Sequence, residues 1–356
     1  MNKYKKYFRI FFINFLIFFL GIIVLEVFFG GWFKKNNFFD LIVKRNITKV
    51  WSPTHYKSNH TAMYKKDKYG FRGNYESIKQ VKIITIGGST TDERWIDENL
   101  TWTMMLQKKI SNYLDDKNFK IANAGVDGQS SVGHLKNFEH WFKKIEKLNP
   151  QFYMIYLGIN DAVILASILE KNNLEDFNRA DQLKDEYLNE KIINYVKNNS
   201  ALYNLYKIFD GYLIAKKYGV THGTNTWEGS FEQKKIEIFN KDDQINNFLK
   251  DYNNRLIKIS NIVKEQSSIA IFITQQVPRG HYLEELLTRI NQQTIEFCKL
   301  KKQVCLNLHQ KINLEIDKDL YDAFHTRPNG NKKISEFIFN EIKFNPKLKN
   351  YFSKIQ

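Results

Sequence analysis

Apolar side chains fill residues 10–33 almost without interruption, and Asn14 and Glu26 are the strongly polar exceptions. At about 1.5 Å of rise per residue, a helix of this length crosses a hydrocarbon core of about 30 Å. A cleaved signal peptide has a shorter apolar stretch followed by a small-residue cleavage site, and neither is visible in this segment. The pattern therefore predicts an uncleaved transmembrane signal anchor over residues 10–33.

The charges on the two sides of this anchor predict its orientation. Residues 1–9 form a basic flank with four cationic side chains, which are Lys3, Lys5, Lys6 and Arg9. After the anchor, Lys34 and Lys35 are partly offset by Asp40. Because the flank richer in Lys and Arg stays in the cytoplasm, we expect a single-pass membrane protein whose remaining chain lies on the periplasmic or cell-surface side.

Beyond the anchor, residues 34–78 show no sustained hydrophobic period and are interpreted as a stalk and lead-in. From residue 79 the chain alternates short β-branched runs with longer amphipathic ones. The short runs predict strands at 81–88, 120–125, 152–158, 269–275 and 304–308. The longer runs predict helices at 99–114, 132–148, 235–265, 282–300 and 329–342. This alternation predicts a three-layer α/β/α domain at 79–346 with a five-stranded, mostly parallel sheet, followed by a tail at 347–356.

One crossover between predicted strands is too long for a single helix. Asn160 precedes Ile269 by 109 positions (269 − 160), whereas a βαβ unit takes about 30 residues or slightly more. We therefore predict a mostly helical insertion at about 165–235.

The formal net charge of +16 raises the question of an anionic partner such as nucleic acid. The 54 Lys and Arg residues are nevertheless spread along the chain, and no nucleic-acid-binding motif accompanies them. Pairs such as Lys143–Lys144 and Lys332–Lys333 are typical of solvated helix faces. Nucleic acid is therefore not expected as a partner.

The two cysteines, Cys298 and Cys305, are too few for a disulfide framework or a four-ligand zinc site. Cys298 lies late in a predicted helix and Cys305 lies in a predicted strand, so their mutual pairing stays open. No metal or other cofactor is expected.

Ligands of a parallel α/β sheet bind beyond the carboxyl ends of the strands, so the residues that follow each strand are candidate site residues. These segments are Gly87-Gly88-Ser89-Thr90, Asp127-Gly128-Gln129, Gly158-Ile159-Asn160-Asp161 and Gln275-Gln276-Val277-Pro278. In the first of them, two glycines permit a tight exit from the strand and leave Ser89 exposed at the sheet edge. Arg94, Gln276 and Arg279 lie on loops at the same edge, where they either contact an anionic or sugar substrate or pack on the lip of the site.

A serine hydroxyl becomes nucleophilic when a base takes its proton, and a third group must orient that base. Of the eight histidines, His325 alone follows a carboxylate by three residues, Asp322, and lies after the last predicted strand and before the last helix. Each segment also has a simpler interpretation. Gly87 to Thr90 could bind phosphate, Asn160-Asp161 could cap a helix, and Gly128 could be an ordinary turn glycine.

Taken together and in order, these motifs resemble the four blocks of the SGNH (GDSL-like) hydrolases. The blocks read Gly87-Gly-Ser89-Thr-Thr, Asn123-Ala-Gly-Val-Asp-Gly128, Gly158-Ile-Asn160-Asp and Asp322-Ala-Phe-His325. The resemblance implies a flavodoxin-like fold in which Ser89 is the nucleophile, His325 is the general base and acid, and Asp322 orients the imidazole. It further implies an oxyanion hole formed by the backbone N–H groups of Ser89 and Gly128 and the side-chain amide of Asn160.

The first block departs from the family pattern, which usually reads Gly-Asp-Ser. Here Gly88 occupies the place of the aspartate, which removes a charge beside the nucleophile without removing a catalytic group. The departure bears on the shape of the turn or on substrate preference.

From the resemblance and the predicted location, we expect a serine ester hydrolase that forms an acyl-enzyme and removes O-acetyl groups from a cell-envelope glycan, or acts on a related lipid ester. Three alternatives stay open. The first is an O-acyltransferase in which the 165–235 insertion shields the acyl-enzyme from water, the second is a lysophospholipase or thioesterase, and the third is a catalytically silent glycan-binding module.

Overall fold

A computed structural model describes residues 3–33, 43–51, 61–171, 181, 199–217, 241–276 and 280–354. Its centre is a five-stranded sheet in which every neighbouring pair is parallel. The strands of this sheet are β3 Val81–Gly87, β4 Lys120–Asn123, β5 Phe152–Tyr156, β6 Ile269–Ile273 and β7 Val304–Leu306. Two further strands, β1 Ile47–Trp51 and β2 Ala62–Lys66, form a separate antiparallel hairpin.

The order of the strands in the sheet is β4-β3-β5-β6-β7, so the direction of winding reverses between β3 and β5. This is the flavodoxin-like order, and ligands of such sheets bind at the reversal, beyond the carboxyl ends of the strands. Ser89 follows β3 and Asn160 follows β5. The topology therefore brings the first and third sequence blocks to the same crevice.

Helices cover both faces of the sheet. The helices in chain order are α1 Lys3–Phe29, α2 Ser89–Asp92, α3 Trp102–Leu114, α4 Ser131–His140, α5 Ile159–Lys171, α6 Ala201–Lys217, α7 Asp242–Glu265, α8 Glu284–Leu300, α9 Leu308–Lys311, α10 Pro328–Phe344 and α11 Pro346–Phe352. One apolar core joins the sheet to α4, α5, α7 and α8, and a second joins it to α3, α10 and α11. The predicted three-layer α/β/α architecture with a parallel sheet is confirmed.

All five predicted strands begin at the observed residue and end one or two residues too late. The predicted helix 132–148 is too long, because α4 ends at His140 and a short 3-10 turn follows. The cause is Trp141, whose indole N–H donates to the Tyr69 carbonyl at 2.7 Å and whose ring stacks on Phe71 at 5.0 Å. This contact with the lead-in turns the backbone out of the helix.

The lead-in contains regular structure that the hydrophobic pattern did not predict. In β2, Ala62, Tyr64 and Lys66 are buried, whereas the alternating residues are exposed. The inward position of a lysine obscures the period of two that would otherwise indicate a strand. Residues 61–78 therefore pack on the domain, and residues 34–42 and 52–60 lie outside the described chain.

The predicted insertion at 165–235 lies largely outside the described residues. Within the described part, α5 extends to Lys171, Asp181 is placed against α4, and α6 is helical. At the far edge of the sheet, Cys298 at the end of α8 and Cys305 in β7 form a disulfide, with 5.9 Å between their Cα atoms. The two cysteines therefore pair with each other, because the turn that joins α8 to β7 brings them together.

Among the described residues, one helix is long and apolar enough to cross a membrane, Tyr4–Phe29 within α1. Nearly all of its apolar side chains are exposed in the described chain. By length and composition this helix is either a membrane anchor or a signal sequence.

Candidate active site

Three side chains from two ends of the domain form a continuous hydrogen-bonded line. His325 Nε2 lies 2.7 Å from Ser89 Oγ, and His325 Nδ1 lies 2.6 Å from Asp322 Oδ2. All three residues are buried in the protein matrix. The arrangement matches that of a nucleophile, a base and an orienting carboxylate.

The Asp322 carboxylate also shapes the turn that carries His325. Its Oδ1 accepts hydrogen bonds from the backbone N–H groups of Phe324 at 2.9 Å and of His325 at 2.7 Å. The Tyr321 ring stacks on the imidazole at 5.5 Å between centroids. One oxygen of Asp322 thus fixes the backbone of the turn, while the other contacts the His325 ring.

The hydrogen bonds to Asp322 determine its charge. Burial alone raises the pKa of this carboxyl, but the nearby imidazole and the two backbone N–H donors outweigh burial and hold the pKa below its ordinary value. The carboxylate therefore stays ionised beside His325, where it favours the tautomer that carries its proton on Nδ1.

A close backbone contact requires glycine at Gly87, and a close side-chain contact favours it at Gly88. A Cβ atom on Gly87 would lie 2.7 Å from the Tyr156 carbonyl oxygen, and one on Gly88 would lie 2.2 Å from the Asn160 Nδ2 atom. The backbone at Gly88 has φ −83°, which any residue can adopt, so its requirement is steric. The absence of the family's aspartate at this position lets the Asn160 amide pack directly against the main chain of Gly88.

The predicted oxyanion residues lie around the same point. Asn160 Nδ2 donates one hydrogen bond to the Gln129 carbonyl at 2.9 Å, which fixes the amide while its other N–H remains a donor. The turn that contains Gly128 is joined to the end of β3, because the Val126 N–H donates to the Gly87 carbonyl at 3.0 Å. Gly128 itself has φ +78°, a left-handed conformation that favours glycine. Ser89 begins α2, where N–H groups lack intrahelical acceptors.

Gln275 was missed as a site residue because the prediction chose its neighbour, Gln276. The buried Gln275 side chain donates to Thr90 Oγ1 at 3.0 Å and accepts from the Ile159 N–H at 3.1 Å. Its backbone is held on both sides by the Asn291 amide, at 3.0 and 2.8 Å. Gln275 therefore joins the residue after Ser89 to the residue before Asn160. Its place two residues after β6 was the available signal.

The three predicted substrate-contacting residues have different outcomes. Arg94 Nη2 pairs with Asp127 Oδ2 at 2.5 Å, so its guanidinium joins the loop after α2 to the turn of Gly128. Gln276 is half-buried, and its backbone N–H donates to the Tyr156 phenol. Arg279 lies outside the described residues. A contact of these residues with substrate remains a prediction.

The lead-in hairpin contacts helix α2, which begins at Ser89. Lys66 Nζ lies 2.9 Å from Asp92 Oδ1 in the last position of α2, and the Tyr64 hydroxyl donates to the same carboxylate at 2.9 Å. Arg72, which is fully buried, donates to the carbonyl oxygens of Asp92 at 2.6 Å and Glu93 at 2.8 Å. Glu93 has φ +47°, so these bonds hold a turn that a non-glycine residue rarely adopts.

Two buried carboxylates accept hydrogen bonds at the start of α4, which follows the turn of Gly128. Asp161 accepts hydrogen bonds from Ser131 and lies 3.8 Å from the Arg255 guanidinium. Asp181, from the insertion, accepts from the Ser130 N–H and the Gly133 N–H, each at 2.9 Å. Burial raises the pKa of Asp181 to about 7 despite these donors. In the part of the chain that is described, no group of three or more His, Cys, Asp or Glu residues is arranged to hold a metal ion.

Comparison with known proteins agrees with this site. Residues 83–338 match the family of GDSL-like lipases and acylhydrolases, which covers the sheet, the crevice and all four sequence blocks. No curated protein matches the chain. The chain therefore belongs to the GDSL-like lipase/acylhydrolase family and is a carboxylic ester hydrolase.

Several solved structures are similar to this chain at low sequence identity. A lipolytic protein of the G-D-S-L family from Desulfitobacterium hafniense shares 12% identity with a TM-score of 0.42, and the match covers 73% of this chain and 98% of that one. An acetylxylan esterase from Geobacillus stearothermophilus shares 11% identity with a TM-score of 0.42, over 74% and 94% of the two chains. An alpha/beta hydrolase enzyme from the metagenome of Lake Arreo shares 9% identity with a TM-score of 0.42, over 73% and 94%.

Proposed function

We propose that Ser89, His325 and Asp322 cleave an acyl ester through a covalent acyl-enzyme, and that the substrate is an O-acetylated glycan, or a related lipid ester, of the cell envelope. The observation that carries the catalytic part is the position of His325, with one ring nitrogen 2.7 Å from Ser89 Oγ and the other 2.6 Å from Asp322. A serine without such a partner is a poor nucleophile.

In the first half of the reaction, Ser89 Oγ attacks the carbonyl carbon of the ester while its proton passes to His325 Nε2. The imidazolium that forms is stabilised by the Asp322 carboxylate, whose pKa is held below its ordinary value. As the tetrahedral intermediate collapses, the bond to the alkoxy oxygen breaks and that oxygen takes the proton from Nε2. The acyl group then remains on Ser89 and the alcohol leaves.

The negative charge of the tetrahedral intermediate falls on the former carbonyl oxygen. The Ser89 N–H, the Gly128 N–H and the Asn160 amide are the proposed donors to this oxygen. Each donor of this kind typically contributes about 3 kcal/mol to the stability of the transition state. The bond from Asn160 to Gln129 and the steric fit against Gly88 support this role, since both hold the amide before substrate arrives.

In the second half, water loses a proton to His325 Nε2 and attacks the acyl carbon. The bond between the acyl carbon and Ser89 Oγ then breaks, and Oγ takes the proton back from His325 Nε2. A carboxylic acid is released. Every proton therefore passes through one ring nitrogen, and the chain's own residues supply each group that these steps require.

The envelope substrate is supported by the location that α1 implies. We propose that α1 is an uncleaved anchor whose amino-terminal basic flank faces the cytoplasm, so that the catalytic domain meets extracytoplasmic glycans and lipids. A substrate held near a membrane surface suits an enzyme tethered beside it.

Acetate release from O-acetylated envelope glycan tests the proposal against matched esters. Full-length protein in detergent is compared with Ser89→Ala on this glycan and on short and long p-nitrophenyl esters. We expect wild type to release acetate and to prefer the short ester, and Ser89→Ala to lose at least about 10³-fold in kcat. Equal rates for the two proteins contradict the mechanism, whereas a preference for long acyl chains contradicts the acetyl substrate alone.

A further inference from the structure

Helix α6 carries an apolar stripe that is exposed among the described residues. Leu202, Leu205, Tyr206, Phe209 and Leu213 are between 40% and 62% exposed, which is unusual for five large apolar side chains on one helix. Their spacing of three and four residues places them on one face of the helix. We call these five residues the apolar stripe.

The first turn of α6 is bonded to the end of α1. The Glu26 carboxylate accepts hydrogen bonds from the backbone N–H of Ala201 at 2.8 Å and of Leu202 at 3.1 Å, and from the Ser200 hydroxyl at 2.7 Å. A negative charge at this position complements the positive end of the α6 dipole. Glu26 of α1 therefore caps the amino-terminal end of α6.

A second contact holds the two segments together. The Gly31 N–H donates to the Asn199 carbonyl at 2.7 Å, and a Cβ atom on Gly31 would lie 2.7 Å from Asn199 Oδ1. A side chain at position 31 would therefore displace the Asn199 amide. The two contacts hold the start of α6 against the carboxyl-terminal end of α1.

The depth of this junction follows from the position of Glu26. Glu26 lies three residues before the end of α1 at Phe29, which is about 4.5 Å along the axis. If α1 crosses a bilayer, the start of α6 lies at the level of the lipid headgroups. Acidic side chains near the ends of membrane helices are paired in this way.

The length and sequence of α6 favour a helix that lies on the membrane over one that crosses it. Its 17 residues span about 25 Å, which is shorter than the hydrocarbon core of about 30 Å. Asp210 lies near its middle, and an acidic side chain there opposes insertion across the bilayer. Ile208, which is 58% exposed, lies beside the stripe and widens the apolar face of α6. A helix with one broad apolar face is typical of the membrane interface.

We propose that α6 lies in the surface of the bilayer that α1 crosses, with the apolar stripe among the lipid acyl chains and Glu26 as the joint between the two helices. The partner is the lipid bilayer itself. Because α6 belongs to the segment between α5 and β6, this contact gives the catalytic domain a second attachment to the membrane, independent of the stalk. The inference rests on the proposed anchor but not on the proposed reaction.

A fluorescent label on the stripe tests this contact in the full-length protein. Phe209→Cys and Phe344→Cys are labelled with the same environment-sensitive dye and reconstituted in phosphatidylcholine–phosphatidylglycerol vesicles. The two phenylalanines are similarly exposed, at 59% and 68%, but Phe344 lies at the end of α10 on the hydrolase domain. The native cysteines form a disulfide and do not compete for the label under non-reducing conditions.

Quenching by lipids brominated on their acyl chains is the readout. We expect the Phe209 label to be quenched at least about twofold more than the Phe344 label, because the stripe lies about 5–10 Å into the headgroup and acyl boundary. We also expect Glu26→Ala to reduce that quenching. Vesicles holding less than one chain on average keep a second copy from covering the stripe.

Three results overturn the proposal, and they are distinguishable. Protein that does not float with the vesicles refutes the anchor and the surface helix together. Protein that floats but shows equal quenching of the two labels refutes the surface helix alone. A blue shift of the Phe209 label that is insensitive to the brominated lipid and occurs only in vesicles that hold several chains assigns the stripe to a second copy of this chain.

Discussion

The imidazole Nε2 of His325 lies 2.7 Å from the hydroxyl oxygen of Ser89, although 236 positions separate the two residues in the chain. Ser89 follows the first strand of the parallel sheet, and His325 precedes the last long helix. Their contact therefore joins the beginning of the hydrolase domain to its end. It also places the base before any substrate binds.

Asp322→Asn tests the role of the carboxylate in orienting His325. The variant preserves shape but reverses the preferred tautomer of the ring, because an amide nitrogen can donate where the carboxylate only accepts. We expect kcat on a short ester to fall by about 10³- to 10⁴-fold with little change in KM. Asp317→Asn is the matched control, since Asp317 is exposed and lies on the same segment. A loss below about tenfold for Asp322→Asn contradicts this role.

Gly88→Asp restores the usual family residue and is nevertheless expected to impair the enzyme. A Cβ atom at this position collides with the Asn160 amide, so the proposed oxyanion donor is displaced. We expect kcat to fall by about 10²-fold or more. A double-mutant cycle provides the control. In an Asn160→Ala background, Gly88→Asp should cost less than about threefold further, and additive losses would show that the two residues act independently.

Gln275→Ala tests the link between the two halves of the crevice. Removal of the amide leaves the Ile159 N–H without its acceptor and releases Thr90 beside the nucleophile. We expect kcat to fall at least about tenfold while KM changes little, because Gln275 positions other groups and does not contact substrate. Gln292→Ala, at an exposed position on α8, is the control. A change in thermal stability with unchanged kcat assigns Gln275 a purely structural role.

Lys66→Ala measures how much the lead-in hairpin contributes to the domain. The substitution leaves the buried Asp92 carboxylate without its ion-pair partner. Loss of one partner from a buried pair typically costs about 3–5 kcal/mol, so we expect a drop of that size in the free energy of unfolding measured with urea. Lys65→Ala changes the adjacent, exposed lysine and should cost less than about 0.5 kcal/mol. Equal effects of the two variants would refute a structural role for the hairpin.

The insertion residue Asp181 predicts a dependence of stability on pH. Its pKa in the folded protein is raised from 3.8 to about 7, so the native state binds a proton more tightly than the unfolded chain does. Stability from this group is present at low pH and is lost as the pH rises toward about 7, by roughly 2–3 kcal/mol between about pH 5 and about pH 8. Asp181→Asn should remove this part of the pH dependence in thermal melts. Parallel pH profiles for wild type and variant would contradict it.

The sheet and the residues of the hydrogen-bonded line, Ser89, His325 and Asp322, were predictable because both depend on local patterns. Each strand of the sheet begins at its predicted residue, since β-branched runs bounded by glycine and proline mark strands strongly. Ser89, Asp322 and His325 were selected from the chemistry that a nucleophile requires. The sequence could not supply the distances between them, which depend on the order of the strands.

The features that the sequence did not predict depend on charged side chains that are buried and on contacts between distant segments. Lys66 and Arg72 are buried because Asp92 and backbone carbonyl oxygens partner them, and a hydrophobic pattern treats such residues as exposed. The end of α4 is determined by the contact of Trp141 with the distant lead-in. Gln275 is buried and Gln276 is half-buried, but the two residues have the same chemistry, so composition could not distinguish them.

Identification of the acylated residue tests the central claim most directly. Full-length protein is mixed with a fluorophosphonate or quenched in acid during turnover of a slow ester, digested, and analysed by peptide mass spectrometry. The account predicts one adduct, on the peptide that contains Ser89, and no adduct in Ser89→Ala or in unfolded wild type. An unmodified Ser89 in active, folded protein, or an adduct on another residue, would contradict it.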